Sequence, residues 1–340
     1  MIKQLMSSRR FAPLFWAQFC SALNDNVLKN ALVIILLYGA TAGHGDALVT
    51  VAGAVFIFPF FVLSGLGGEL ADKYVKGVVA RRLKFAEIFA AAFAAAGFFL
   101  HSVPLLFVAL GLFGVIAALF GPVKYAMLPD QLSVGELATG NALVEAATFM
   151  AILIGTIAGG QLVAGSSHMG WVASAVVVLA LLSWAFASRI PHAAPSAPDL
   201  PVANPLTSTL QLLKTLWAEP RLWDGMVIVS WFWLVGAVVL SLLPALVKDV
   251  VGGTEGVVTL CLAVFAIGIA AGSLFAAQLS HVRPNLALVP IGAIVMGVVG
   301  LDLALAIGTT AGGHEISPGA FLGSVAGFHM IGDFALFAFG

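Results

Sequence analysis

Charged and amide side chains are scarce in this sequence, and they gather inside apolar runs. The segment ALNDNVLKNALV (22–33) places Asp25 and Lys29 among Asn24, Asn26 and Asn30. An ionisable group at mid-membrane costs about 2.5–3.5 kcal/mol on insertion scales, so it needs either a use or a partner. At 100° per residue, Asp25, Asn26, Lys29 and Asn30 fall within an arc of about 140°, and all four are expected to face one cavity. The alternative is an internally neutralised Asp25–Lys29 pair one turn apart. GPVKYAMLPDQ (121–131) carries Lys124 just before a membrane interface, where it can hold an anionic head group or snorkel to lipid phosphates. Asn141, Glu145 and Thr148 form one polar helical stripe, followed by Gly155, Gly159 and Gly160 as a helix-packing face. His329 and Asp333 are one turn apart, as a proton relay or as a mutually satisfied buried pair, while Asp302 stands alone without a role.

Catalytic arrangements are missing. There is no Gly-x4-Gly-Lys phosphate loop, no His followed five positions later by Asp, and no Gly-x-Ser-x-Gly elbow. Cys20 and Cys261 are too few and too dispersed for a disulfide framework or a metal cluster. No enzyme activity, cofactor or resident metal is expected. A net charge of −1 argues against nucleic acid as a partner, because phosphate binding needs a basic surface.

These polar groups need a membrane to carry them. Of 340 residues 61% are hydrophobic and 9% charged, with mean hydropathy +1.08, against about 25% charged in a soluble domain. A helix needs about 20 apolar residues to cross the hydrocarbon core. Cutting at polar, Gly and Pro punctuation predicts ten spans, at 11–38, 47–68, 85–101, 104–127, 139–164, 169–188, 222–247, 256–279, 286–308 and 317–340. The N-terminal apolar run is too long for a cleaved signal and lacks a small-residue cleavage site, so the first helix is expected to be retained. With the N-terminus in the cytoplasm, twelve of the 15 lysines and arginines fall in cytoplasmic segments, Lys76 and Lys84 among them. Only Lys248 falls on the other side, and Lys29 and Lys124 lie within spans.

Pro191, Pro195, Pro198, Pro201 and Pro205 mark a linker after the sixth span. It leads into NPLTSTLQLLKTLW (204–217), where Asn204 is a candidate cap and Leu206, Leu210, Leu213 and Trp217 share one face, a pattern for a helix on the membrane surface. The expected organisation is an N-terminal six-helix bundle (1–190), a cytoplasmic linker with this surface helix (191–221), and four further spans (222–340). Spans one to six are expected to close around a cavity lined by the first, second, fourth and fifth, with span seven opposite.

GGELADKY (67–74), at the exit of span two, resembles the loop joining the second and third helices of the major facilitator superfamily. That resemblance makes Gly68, Asp72 and Lys73 candidates for a conformational latch, in which Gly permits close approach and Asp meets a helix N-terminus or a cation. Val75 stands where the family usually has Gly. AGSLFAAQL (271–279) is a weak counterpart at the exit of span eight, and FG recurs at 120–121 and at 339–340. A six-plus-six transporter would continue past Gly340, so the chain is expected to be truncated, with about ten of twelve helices present.

RRFAPLFWAQFCSALNDNVLKNALV, FGPVKYAMLPDQL, TGNALVEAATFMAILIGTIAGG and SWFWLVGAVVLSLLPAL together resemble the bacterial lysophospholipid transporters, most closely the transporter domain fused to an acyltransferase and acyl-carrier-protein synthetase. The resemblance implies an all-α polytopic inner-membrane protein of the major facilitator fold. It implies movement of lysophospholipids such as lysophosphatidylethanolamine from the outer to the inner leaflet for reacylation, with membrane lipids and a fused or associated acyltransferase as partners. It also implies that Asp25 and Lys124 line the substrate path and that Asp72 belongs to the latch. A zwitterionic head group suits the paired charges of Asp25, Lys29, Lys124 and Glu145, and an acyl chain suits a wall such as Trp231, Phe232 and Trp233. The competing readings are a proton-coupled exporter of drugs or small metabolites and a membrane anchor for a downstream enzyme.

Overall fold

A computed structural model describes residues 2–38, 45–163, 169–280, 285–309 and 316–340. All regular elements among them are helical: α1 (Ile2–Ser7), α2 (Ala12–Tyr38), α3 (Gly45–Lys73), α4 (Lys76–Phe99), α5 (Val103–Gln131), α6 (Val134–Val163), α7 (Met169–Ala187), α8 (Pro205–Ala218), α9 (Pro220–Ala245), α10 (Glu255–Ser280), α11 (Leu288–Thr309), α12 (Pro318–Gly323) and α13 (Val325–Phe339). A π-helical turn, Leu246–Val251, follows α9. The protein is an all-α polytopic membrane protein. Helices α2, α3, α5, α6, α7, α9, α10 and α11 are long and apolar enough to cross a membrane. α4 is long but charged at one end, with Lys76, Arg81, Arg82, Lys84 and Glu87.

Two of the expected spans are corrected. The third does not begin at residue 85: its helix starts at Lys76, because the backbone stays hydrogen-bonded beyond the apolar stretch and the basic residues ride on its first turns. Thus Lys84, expected in a cytoplasmic loop, is a helical residue with no exposure. The tenth is two helices, since the Ser324 hydroxyl accepts from Gly327 N at 3.0 Å and starts α13 afresh after α12.

The chain forms two compact units, Met1–Thr215 and Leu216–Gly340. In the first, α2 packs on α6 and α7, α3 on α5, and α4 on α5 and α7. Small side chains fill the seams, with Ala31, Ala90, Ala91, Ala94, Ala109 and Ala180 all buried among Leu28, Phe98 and Phe113. Without a hydrophobic drive between helices in lipid, such close packing supplies the association. Large aromatic residues instead cover the outside, as at Phe58 and Phe61 (67% and 72% exposed), which is the arrangement expected when the surrounding solvent is hydrocarbon.

α8 begins with the Asn204 side chain accepting from Thr207 N at 2.9 Å. Its Ser208 is buried, and the Thr209 hydroxyl donates to the Val62 carbonyl of α3 at 3.0 Å, beside Gly65. Leu206, Leu210, Leu213 and Trp217 are exposed on the other side. The polar face therefore holds the protein and the apolar face is left for lipid.

In the second unit α13 packs on α10 and α11, around a core of Leu243, Val257, Cys261, Phe321, Met330 and Phe334. An isolated bridge pairs Gly253 with Ile316, next to a turn in which Gly252 has φ 75°, a conformation that favours glycine. Trp231, Phe232 and Trp233 of α9 are exposed.

Candidate functional site

Gln18, Ser21, Asp25 and Lys29 follow one another at spacings of three or four residues and form a polar stripe along α2. The structure brings α4 to this stripe. Lys84 Nζ donates to Ser21 Oγ at 2.6 Å and to Glu87 Oε2 at 2.7 Å, Ser21 Oγ donates to the same Glu87 oxygen at 2.9 Å, and the Phe120 ring of α5 lies 3.9 Å from the ammonium. All three polar residues are buried, and Glu87 Oε1 has no partner. The pair balances its own charge, and the ring adds a cation–π contact that strengthens where water is excluded.

Asp25 sits one turn along α2 from Ser21, with the charges of Glu87, Lys84, Lys29 and Lys124 acting on it. It is only half-buried and makes no hydrogen bond or direct ion pair among the described residues. Lys29 is also half-buried, and its recorded contact is with the Phe56 ring of α3 at 5.9 Å. The internally neutralised Asp25–Lys29 pair is therefore not made as a contact. Both side chains remain available to a ligand.

The same region extends towards α6. Lys124 Nζ lies 3.4 Å from Gln18 Oε1 and 4.7 Å from the Tyr125 ring centroid. Gln18 also donates to the Val144 carbonyl at 3.1 Å, and its oxygen accepts from the Thr148 hydroxyl at 3.3 Å. Tyr125 donates to Glu145 Oε1, leaving Glu145 Oε2 without a partner. The chain thus gathers Lys29, Lys84 and Lys124 with Asp25, Glu87 and Glu145, so the site balances cations against anions. Such a site can hold a positive and a negative group of one ligand at the same time.

Other expected site residues make contacts of their own. Asn26 and Asn30 are turned to α6, where a Cβ on Gly155 would stand 2.6 Å from Asn26 Cβ, and a Cβ on Gly159 would stand 2.6 Å from the Val27 carbonyl. Asn26 donates to the Ala22 carbonyl, and Asn30 to the Asn26 carbonyl and to Thr156 Oγ1. The two glycines draw α6 so close that the asparagines become part of the seam. Asn141 is exposed and donates to the Leu137 carbonyl of its own helix. Sequence reasoning missed Lys84 and Glu87, although their opposite charges at a spacing of three, ahead of the apolar run that follows, were a readable signal.

The expected latch also differs. A Cβ at Gly68 would meet nothing within 4 Å, whereas one at Gly67 would stand 2.9 Å from the Leu119 carbonyl, so Gly67 is the point of close approach. Asp72 is exposed and engages only through its carbonyl, which accepts from Ala197 N, while Lys73 lies over the Tyr74 ring at 5.8 Å. The bonds joining helix ends are Lys76–Asp130 at 2.8 Å, with Ser196 at 2.9 Å from the same ammonium, and Arg10–Glu136 at 2.6 Å. Glu69 accepts from Ala203 N at 2.9 Å and ties the linker to α3.

In the second unit, His329 Nε2 is 3.0 Å from Asp302 and 3.7 Å from Asp333. Asp302, isolated in the sequence, therefore joins the His329–Asp333 pair.

The sequence profile of the Major Facilitator Superfamily matches residues 14–338. This chain belongs to that superfamily. It is a membrane transporter by family, not an enzyme. Relatives within the superfamily include proteins named lysophospholipid transporter LplT. That of Serratia proteamaculans is 29% identical over 303 residues, covering 88% of this chain and 73% of the relative. That of Salmonella heidelberg is 31% identical over 296 residues, covering 83% and 68%. That of Yersinia enterocolitica is 28% identical over 295 residues, covering 85% and 69%. Among solved structures, an outward-facing bacterial homologue of the iron transporter ferroportin aligns with TM-score 0.60 over 96% of this chain and 80% of that one, at 16% identity. This likeness shows the shared fold.

Proposed function

We propose that this transporter moves lysophospholipids such as lysophosphatidylethanolamine from the outer to the inner leaflet of a bacterial inner membrane, with its N-terminus in the cytoplasm. An acyltransferase, fused or associated, reacylates the delivered lipid. The observation that carries this reading is the kinship with lysophospholipid transporters over most of the chain. The charge pattern supports it, because a head group with an ammonium and a phosphate finds Asp25 open for the cation and Lys124 and Lys29 for the anion, whereas a sugar would call for more neutral hydrogen-bonding groups. Glu145 holds the Tyr125 hydroxyl beside Lys124. In this reading residues 1–190 and 222–340 are the two moving bundles, 191–221 is the linker, and Gly68, Asp72 and Lys73 form a conformational latch near the Lys76–Asp130 ion pair.

The test is uptake of labelled lysophosphatidylethanolamine by spheroplasts carrying the chain in its natural context, compared with Asp25→Asn at equal protein level. Strong loss in Asp25→Asn with normal expression is expected. Substrate-dependent proton movement without lipid uptake would favour the exporter instead. Unchanged flipping after neutralising every intramembrane charge would leave only a membrane anchor.

A further inference from the structure

Asp302 on α11 and His329 and Asp333 on α13 bring two carboxylates and an imidazole together, although Asp302 and His329 are 27 residues apart. Their nearest ligand atoms all lie within 4.8 Å of one another. Ligands at about 2.0–2.2 Å from a tetrahedral divalent ion are about 3.3–3.6 Å apart. The two separations from His329 Nε2, 3.0 and 3.7 Å, bracket that value.

Hydrogen bonding alone leaves this cluster incomplete. An imidazole Nε2 has at most one hydrogen, and two carboxylates stand beside it. Asp302 takes the shorter contact. Asp333 is 4% exposed, and its Oδ2, directed at the same nitrogen, receives no hydrogen bond. Charge is incomplete as well. The helices packed on α13, which are α10, α11 and α12, contain no lysine or arginine, and neither does α13, so within these four helices His329 is the cationic candidate against two carboxylates. Leaving an anion buried and unpaired is costly, and a divalent cation would answer both deficits.

We propose that Asp302, His329 and Asp333 bind a first-row divalent cation and tie α11 to α13. One nitrogen and two carboxylate oxygens suit zinc, manganese, iron(II) or cobalt, whereas magnesium and calcium favour all-oxygen shells. His329 and Asp302 are each about half exposed (50% and 52%), which provides an entry path and room for a fourth ligand.

The experiment titrates Co2+ into the metal-stripped full chain in lipid nanodiscs and reads the visible absorption, with Zn2+ as competitor. One saturable equivalent is expected, displaced by Zn2+. His329→Gln and Asp333→Asn should each weaken binding by at least the ~10–100-fold that losing even an outer-shell partner costs. Asp25→Asn, which removes a charge in the first unit, should bind Co2+ normally, so this test stands or falls separately from lipid transport. No saturable binding by the unsubstituted chain overturns the proposal. Equal affinity in well-folded His329→Gln, Asp333→Asn and Asp302→Asn also overturns it.

Discussion

Lys84→Met tests whether the buried pair on α4 carries the weight its geometry implies. The substitution keeps an unbranched side chain of similar length and deletes the ammonium, leaving Glu87 at 1% exposure with only the Ser21 hydroxyl as donor and with Asp25 nearby. Breaking a buried pair by removing one partner costs ~3–5 kcal/mol. Glu87→Gln should cost less, because Lys84 retains Ser21 at 2.6 Å and the Phe120 ring at 3.9 Å, and a desolvated cation–π contact offsets about 2 kcal/mol. The double variant Lys84→Met/Glu87→Leu removes both charges and should recover most of the stability lost in Lys84→Met, since hydrophobic replacement of a whole buried pair is often neutral or stabilising. Denaturant unfolding of the purified chain in detergent, run as a double-mutant cycle, measures the coupling. A Lys84→Met variant within about 1 kcal/mol of the unsubstituted chain would refute the reasoning, since a loss that small is what an exposed ion pair gives. Lipid uptake by the stable double variant then separates folding from transport: loss of uptake is expected if the pair sets the field at Asp25.

Lys29→Gln should reduce lysophospholipid uptake less than Asp25→Asn, because Lys124 remains to hold an anion; equal loss in the spheroplast assay would reverse the assignment of roles. Gly159→Leu should prevent α2 from closing on α6, where a Cβ would already stand 2.6 Å from the Val27 carbonyl, and the protein should fail to accumulate; Gly160→Ala, with nothing within 4 Å, should accumulate normally on immunoblots. A nitroxide placed by Leu210→Cys on α8 should show the oxygen accessibility of lipid, while one placed by Thr215→Cys, on the face that carries Ser208, should show less; equal values would remove α8 from the membrane surface.

Membrane-crossing helices were legible because a span is a one-dimensional requirement: about 20 apolar residues in a row can be counted without knowing any neighbour. Asp25 and Lys124 were legible for the same reason, as charges standing out against apolar runs. What a sequence window cannot supply is the rotation of each helix about its axis and the identity of the helix across from it. The arc holding Asp25, Asn26, Lys29 and Asn30 was correctly measured, yet Gly155 and Gly159 of α6 claimed the asparagine side of it. Lys84 read as a loop cation because positive charges gather at cytoplasmic ends; Ser21 and Glu87 made it a buried helical residue. Asp302 had no sequence neighbour to give it meaning, and α13 supplied one from 27 residues away. In each case the residue type set what chemistry was possible, and the packing of two helices decided whether a partner was within reach.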